Sequence, residues 1–347
     1  MKIEARTVRW HGPQLAKGWL DGVVVGADGL ALAPGRDTGT WTAPLFCPGM
    51  SFDRVVPFWN ARTGAGDWVA VEIRAARGGK PLSDWLRAAT WSKGARGLRD
   101  TGAKPARIDQ DTLLLDEGAD TVELRLRLER AVPAKAKGKK KAARGAGGAG
   151  PAVSRAGITV FLGRRDPPGD ARSDAERAPS LVGPFHSQKT QDPEIAMRIC
   201  GPTSLTMALG ACGIRRTPVE VARAAEDPGA AIAFGNWAYL AATAAEHGLG
   251  AEVVSMRDMD ELARTLGAGR LAILSVSFED GALTGSPVKS TDGHLILARG
   301  FDEHGNVVVD DPAGRTEAEG RLSYRRDELA RAWRRGIAIV LEPPVGV

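Results

Sequence analysis

The chain has 347 residues, 43% of them hydrophobic and 26% charged, which excludes wholesale disorder and predicts two domains rather than one overgrown core. The formal net charge of +5 suggests a nucleic-acid partner only until it is located: residues 133–155 hold seven cations and no acid, which leaves the rest at −2. That implies a solvated basic insertion and no nucleic-acid-binding face. No window reaches the roughly 18 uncharged apolar residues of a membrane helix, and Met1-Lys2-Ile3-Glu4 opens no apolar signal core, so no membrane span and a cytoplasmic default are expected.

Residues 1–165 read as an all-β sandwich. In Thr121–Glu129, apolar Val122, Leu124, Leu126 and Leu128 alternate with charged or polar neighbours, the period of a sheet with one wet face. Residues 68–74 and 158–162 read as further strands, with short runs such as Val23-Val24-Val25 and Val55-Val56 between Gly, Pro and Asp clusters. The basic tract at about 133–155 is expected to be a disordered hairpin insertion. Within it Gly145-Ala146-Gly147-Gly148-Ala149-Gly150 copies a dinucleotide fingerprint, but no strand immediately precedes it and no helix follows, so no cofactor is expected. Seven of the tryptophans fall in this half, read as packing residues, with a glycan-binding face as the alternative. Residues 166–180, with Pro167-Pro168-Gly169, form the expected linker.

From 181 to 347 the pattern turns to helices followed by antiparallel strands, an α+β arrangement. Residues 201–211 have helical spacing and stop at Gly213; Thr217-Pro218, Asn236 and Asp258 are helix starts, the last opening a helix that runs to Leu266. Strands are expected over 271–277, 294–301, 306–310 and 337–341, the middle pair joined by the turn Asp302-Glu303-His304-Gly305. A helix is expected over 326–335.

Cys47, Cys200 and Cys212 cannot all pair, and a helix between the last two would hold them about 18 Å apart, so no disulfide framework is expected. Cys47 and Cys212 read as buried structural residues. Cys200 precedes a helix whose first turn is Gly201-Pro202, where unsatisfied N–H groups and the helix dipole favour a thiolate. A nucleophile needs a base and the base an orienting group. His294 stands at the start of an apolar strand, and antiparallel pairing returns Asp310-Asp311 beside it. A zinc site of Cys200, Cys212 and His294 is disfavoured because the cysteine spacing suits no zinc pattern, so no metal is expected.

Four ordered motifs carry a resemblance: Pro184-Phe185-His186-Ser187-Gln188, Cys200-Gly201-Pro202-Thr203-Ser204, Gly293-His294-Leu295-Ile296-Leu297-Ala298-Arg299-Gly300-Phe301, and Asn306-Val307-Val308-Val309-Asp310-Asp311-Pro312. Over residues 182–341 the chain resembles the bacteriocin-processing cysteine peptidases, family thirty-nine, in their stand-alone form without a transporter. The resemblance implies a papain-like fold with Cys200 as nucleophile, His294 as base and Asp311, the acid preceding Pro312, as orienter. It also implies an upstream glutamine for the oxyanion hole, for which Gln188 and Gln191 compete and Gln188 fits the local pattern. The N-terminal half looks like the β-rich domain that precedes such peptidases in some bacterial proteins, through Phe58-Trp59-Asn60-Ala61 and residues 85–91. Relatives of this type are often exported. The implied function is hydrolysis of a peptide or protein substrate, with the β domain recognising substrate or a surface. The alternatives are amidase or transpeptidase chemistry by the same residues, or a non-catalytic binding protein. Oligomeric state is not legible in the sequence.

Overall fold

The computed structural model describes residues 4–93, 97–131, 150–164, 166–169 and 181–344. Most of the expected basic insertion and residues 170–180 of the expected linker lie outside them. Among the described residues the architecture is β-rich, with three antiparallel sheets and the α-helices all in the C-terminal half.

Two sheets face each other in the N-terminal half. One runs in the order Gly102–Ala103, Ala106–Asp109, Thr112–Ala119, Phe52–Arg62, Ala152–Phe161, Gly29–Leu32, Val23–Gly26, with Ala5–His11 also on Ala152–Phe161. The other runs Trp19–Asp21, Thr38–Thr42, Thr121–Glu129, Trp68–Arg77, Lys80–Pro81, with Leu86–Trp91 also on Trp68–Arg77. The alternation in Thr121–Glu129 does what its period predicts: Val122, Leu124, Leu126 and Leu128 are buried and join Trp41, Val55, Trp59 and Val71 in one core between the sheets. Trp10, Trp41, Trp59 and Trp91 are core residues, whereas Trp19 is 77% exposed. Trp85 lies under two guanidinium groups, those of Arg74 and Arg125.

The hairpin expected around the basic tract is corrected: Thr121–Glu129 and Ala152–Phe161 belong to different sheets and do not pair with each other. The second strand starts at Ala152, inside the span read as insertion, and Arg155 is not a solvated cation. It bridges Glu252 at 3.0 Å and Glu342 at 2.7 Å.

In the C-terminal half, α1 (Cys200–Ala211), α2 (Pro218–Ala225) and α3 (Trp237–Glu246) cover one face of a sheet ordered Gly250–Ser255, Trp333–Glu342, Leu271–Phe278, Thr291–Phe301, Val307–Asp310, Arg321–Tyr324. Alternation assigns the faces. Ile273, Leu295, Leu297 and Ile339 turn toward α1 to α3, and Ala272, Leu274, Ile296 and Val340 toward α4 (Met259–Gly267) and Leu329. The helix starts form as expected: the Thr217 side chain accepts from Glu220 N–H, Asn236 from Tyr239 N–H and Asp258 from Glu261 N–H. The last helix, Arg326–Ala332, is three residues shorter than expected because the final strand already begins at Trp333.

The halves do not have separate cores. Val56 and Phe58 leave the sandwich to pack with α1 and α3, while Tyr239 enters it and meets Trp59 and Trp91 edge-on at 5.8 and 5.4 Å. Asn60 closes the seam. Its Nδ2 donates to Ala251 O at 2.8 Å and its Oδ1 accepts from Ala251 N–H at 3.0 Å, satisfying backbone groups on the outer edge of Gly250–Ser255. Arg9 and Arg155 neutralise the buried Glu252 on the same strand.

Asn60→Ala strands both Ala251 groups in a buried place, at about 1–3 kcal/mol per group with partial relaxation. A calorimetric scan is therefore expected to show one unfolding transition at a lowered temperature, about 2–4 kcal/mol less stable. Two separate transitions, only one of them shifted, would contradict a shared core.

Candidate active site

Cys200 is the first residue of α1, delivered by a turn at Ala196–Arg198 and by Ile199. The helix behind it is buried from Gly201 to Leu209, so its position is fixed by packing on every side while Cys200 stays half-buried at the open end. Gly201 lets the helix close on the strand carrying His294: a Cβ there would lie 2.7 Å from methyl carbons of both Leu240 and Leu295. Ser204 Oγ donates to Leu295 O at 3.0 Å and locks the same approach. The sequence motif Cys-Gly-Pro-Thr-Ser is thus a half-buried cysteine at the helix start, a close-contact glycine and a hydroxyl latch in one turn of helix.

His294 is 6% exposed, and its Nε2 lies 2.8 Å from Asp311 Oδ1. Asp311 is held in turn. Oδ1 also accepts from Ala313 N–H at 2.9 Å, and Oδ2 accepts from the Tyr324 hydroxyl at 2.8 Å. Asp310, one residue earlier, points elsewhere, with Oδ1 2.9 Å from Arg299 Nε and 3.3 Å from Arg321 Nε. The two adjacent acids therefore serve different neighbours, and the one before Pro312 meets the imidazole. Tyr324 was not anticipated from sequence; the one available signal was its place as one of only two tyrosines, in a short strand that the apolar pattern also missed.

The electrostatics follow from that contact list. Burial works to raise the Cys200 thiol, but a hydrogen bond to His294, the charge of the imidazole and the N–H groups of Leu295 and Gly201 outweigh it and hold the thiol below its ordinary value. Burial works to lower His294, yet the Asp311 charge and hydrogen bond, together with Cys200, push it well above the usual histidine range. Asp311 is drawn below the carboxylate range against its own burial, chiefly by His294. Each shift favours the ionised form, thiolate at Cys200, imidazolium at His294 and carboxylate at Asp311.

Gln188 is 4% exposed and sits between the two sides of the site: its N–H donates to Pro312 O at 2.8 Å and its Nε2 to Ala196 O at 2.9 Å. One amide N–H is thereby committed to the turn before Cys200. Gln191 is placed differently, with Nε2 donating to Ser187 O at 2.9 Å on the partly exposed side. The expectation that Cys47 is buried is corrected: it is exposed, because the segment ahead of Phe52–Arg62 runs along the surface rather than into the sandwich. Cys212 is buried, and burial pushes its thiol up. Among the described residues no group of three His, Cys, Asp or Glu side chains could hold a metal ion, and no helix is long and apolar enough to cross a membrane.

Comparison with known proteins gives two family matches in tandem. Residues 182–336 match the Peptidase C39 like family, and residues 16–143 match the Peptidase C39 N-terminal domain. Among solved structures, a protein from Bacillus anthracis assigned as a C39-like peptidase aligns at 16% identity and TM-score 0.37, over 48% of this chain and 97% of that one. No curated protein matches the sequence.

Short exposure to iodoacetamide at mildly acidic pH is expected to modify Cys200 first, ahead of the more exposed Cys47, and Cys212 last. Peptide mass mapping reads the order. Cys47 reacting ahead of Cys200 would contradict a thiolate held by His294.

Proposed function

From a chain that carries a domain of the C39-like peptidase family behind a C39 N-terminal domain, we propose a cysteine peptidase of papain-like fold, with Cys200 as nucleophile, His294 as acid and base, and Asp311 as the group that orients the imidazole. The observation that carries this reading is the His294–Asp311 hydrogen bond of 2.8 Å behind a half-buried cysteine at a helix start. A bound Nε2 leaves Nδ1 as the ring nitrogen for Cys200, and a carboxylate fixed by both Ala313 N–H and Tyr324 leaves the ring one orientation.

The Cys200 thiolate attacks the carbonyl carbon of the scissile amide, and the carbonyl π pair moves onto oxygen. The Cys200 backbone N–H and the Gln188 amide are the proposed donors to that oxyanion, worth about 3 kcal/mol for a well-placed donor. As the oxyanion collapses, the C–N bond breaks and the imidazolium gives its proton to the departing amine. Water then attacks the thioester while His294 takes its proton, the C–S bond breaks, and the acid leaves with the thiolate restored. An amine in place of water would give transpeptidation, and product analysis distinguishes the two.

Assayed on a mixed peptide library, His294→Ala should lose kcat by orders of magnitude while remaining folded, and Asp311→Asn should lose less. Asp310→Asn should lower the melting temperature through its paired arginines but leave kcat per folded molecule near wild type. A large kcat loss in Asp310→Asn with none in Asp311→Asn would reverse the assignment. The pH profile should rise as Cys200 ionises below the ordinary thiol range and fall only as His294 gives up its proton toward about 10. A profile that rises with a free-thiol midpoint would count against the ion pair.

A further inference from the structure

Beside Cys200 lies a loop, residues 227–236, between α2 and α3. It is folded on itself by Asp227 N–H donating to Ala233 O at 2.7 Å, Ala230 N–H to Asp227 O at 3.1 Å and Gly235 N–H to Ile232 O at 3.3 Å. The loop touches the turn that delivers the cysteine on two sides. Phe234 O is 3.3 Å from where a Cβ on Gly201 would stand, and the Arg198 guanidinium lies over the Phe234 ring at 5.3 Å. Ile199, Ala233 and Phe234 share one small core.

What anchors this loop comes from the other half of the chain. Asp227 is fully buried, and one of its oxygens is paired with Arg99 of the N-terminal half, which also donates to Gln110 O. The second oxygen of Asp227 accepts from Asn236 Nδ2 at 2.7 Å, and Asn236 Oδ1 caps α3 by accepting from Tyr239 N–H at 3.0 Å. Asp111 Oδ2 accepts from Trp237 N–H at 2.7 Å, a second tie from the same half. The backbones meet directly: a Cβ on Gly97 would lie 2.9 Å from Gly229 N, and one on Gly229 2.6 Å from Gly97 O. A buried carboxylate whose cation arrives from 128 residues away in sequence is a costly arrangement unless both sides are held in register.

The loop and the neighbouring turn also carry two of the large apolar side chains left in solvent: Ile232, on the loop, is 58% exposed and Met197, on the turn next to Arg198, is 71% exposed. We propose that Arg99 is a positioning residue for substrate: its grip on Asp227 sets the 227–236 loop as one wall of the cleft at Cys200, where Ile232 and Met197 receive an apolar side chain of the peptide. The N-terminal half then acts on specificity by shaping this wall. This rests on the peptidase reading above.

The test uses the full chain and Arg99→Lys, which keeps the charge but cannot hold Asp227 and Gln110 O together with one planar fork, with Arg99→Ala as the stronger lesion. Three quantities are read: amide hydrogen exchange over 227–237, kinetics on peptide pools differing only by Leu or Ser beside the scissile bond, and the iodoacetamide rate at Cys200. Loss of one such hold is expected to speed exchange in the loop by about tenfold. It should raise KM for the Leu pool by about tenfold, leave kcat within about twofold, and change the Ser pool and the alkylation rate little. Unchanged KM beside active wild type overturns the proposal alone. So does unchanged loop exchange, and so does a joint fall of kcat and alkylation rate, which would mean Arg99 acts on the nucleophile. Wild type that cleaves no peptide in either pool overturns the peptidase reading and this proposal with it.

Discussion

A histidine and an aspartate hydrogen-bonded at 2.8 Å where both are almost fully buried constrain everything around them. Charges in such a place persist only when every lone pair and proton has a partner. Asp311 has the His294 ring, the Ala313 N–H and the Tyr324 hydroxyl, which bring the strand Thr291–Phe301, the turn after Asp310 and the strand Arg321–Tyr324 to one point. The order of the last three strands of the sheet is therefore also the order in which this carboxylate collects its partners. Removing any one of them would leave charge without compensation.

The same logic of compensated burial joins the two halves. Glu252 lies inside because Arg9 and Arg155 reach it from strands of the sandwich, Asp227 because Arg99 does, and the edge of Gly250–Ser255 is closed by a side-chain amide rather than by another strand. Tyr239 adds an aromatic plug, with its hydroxyl donating to Thr90 O and accepting from Gly97 N–H. A separable recognition domain would expose these groups on release. The structure instead makes the sandwich part of the support for the helix that bears Cys200.

Local features were legible in the sequence because their causes are local. Thr217, Asn236 and Asp258 cap helices by bonds to residues three positions on, and Thr121–Glu129 declares its buried face by alternation. The juxtaposition of His294 with an acid across a hairpin was also readable, since antiparallel register fixes it. What escaped depends on distant partners. Gly250–Ser255 hid behind Glu252, whose charge breaks an apolar run until the sandwich arginines are in place. Arg155 reads as one more cation of a basic tract until Glu252 and Glu342 arrive from 97 and 187 residues away. That Thr121–Glu129 and Ala152–Phe161 lie in different sheets is hidden because sequence neighbours usually pair, and the exposure of Cys47 has no local signature at all.

The thiolate and imidazolium pair is tested most directly by the ultraviolet absorbance of the thiolate, titrated as the difference between wild type and Cys200→Ser, in the presence and absence of His294→Ala. The account predicts a thiolate at Cys200 that persists well below the ordinary thiol range in the wild-type background and retreats upward once His294 is gone. A Cys200 that ionises only in the ordinary thiol range, with or without His294, would contradict it.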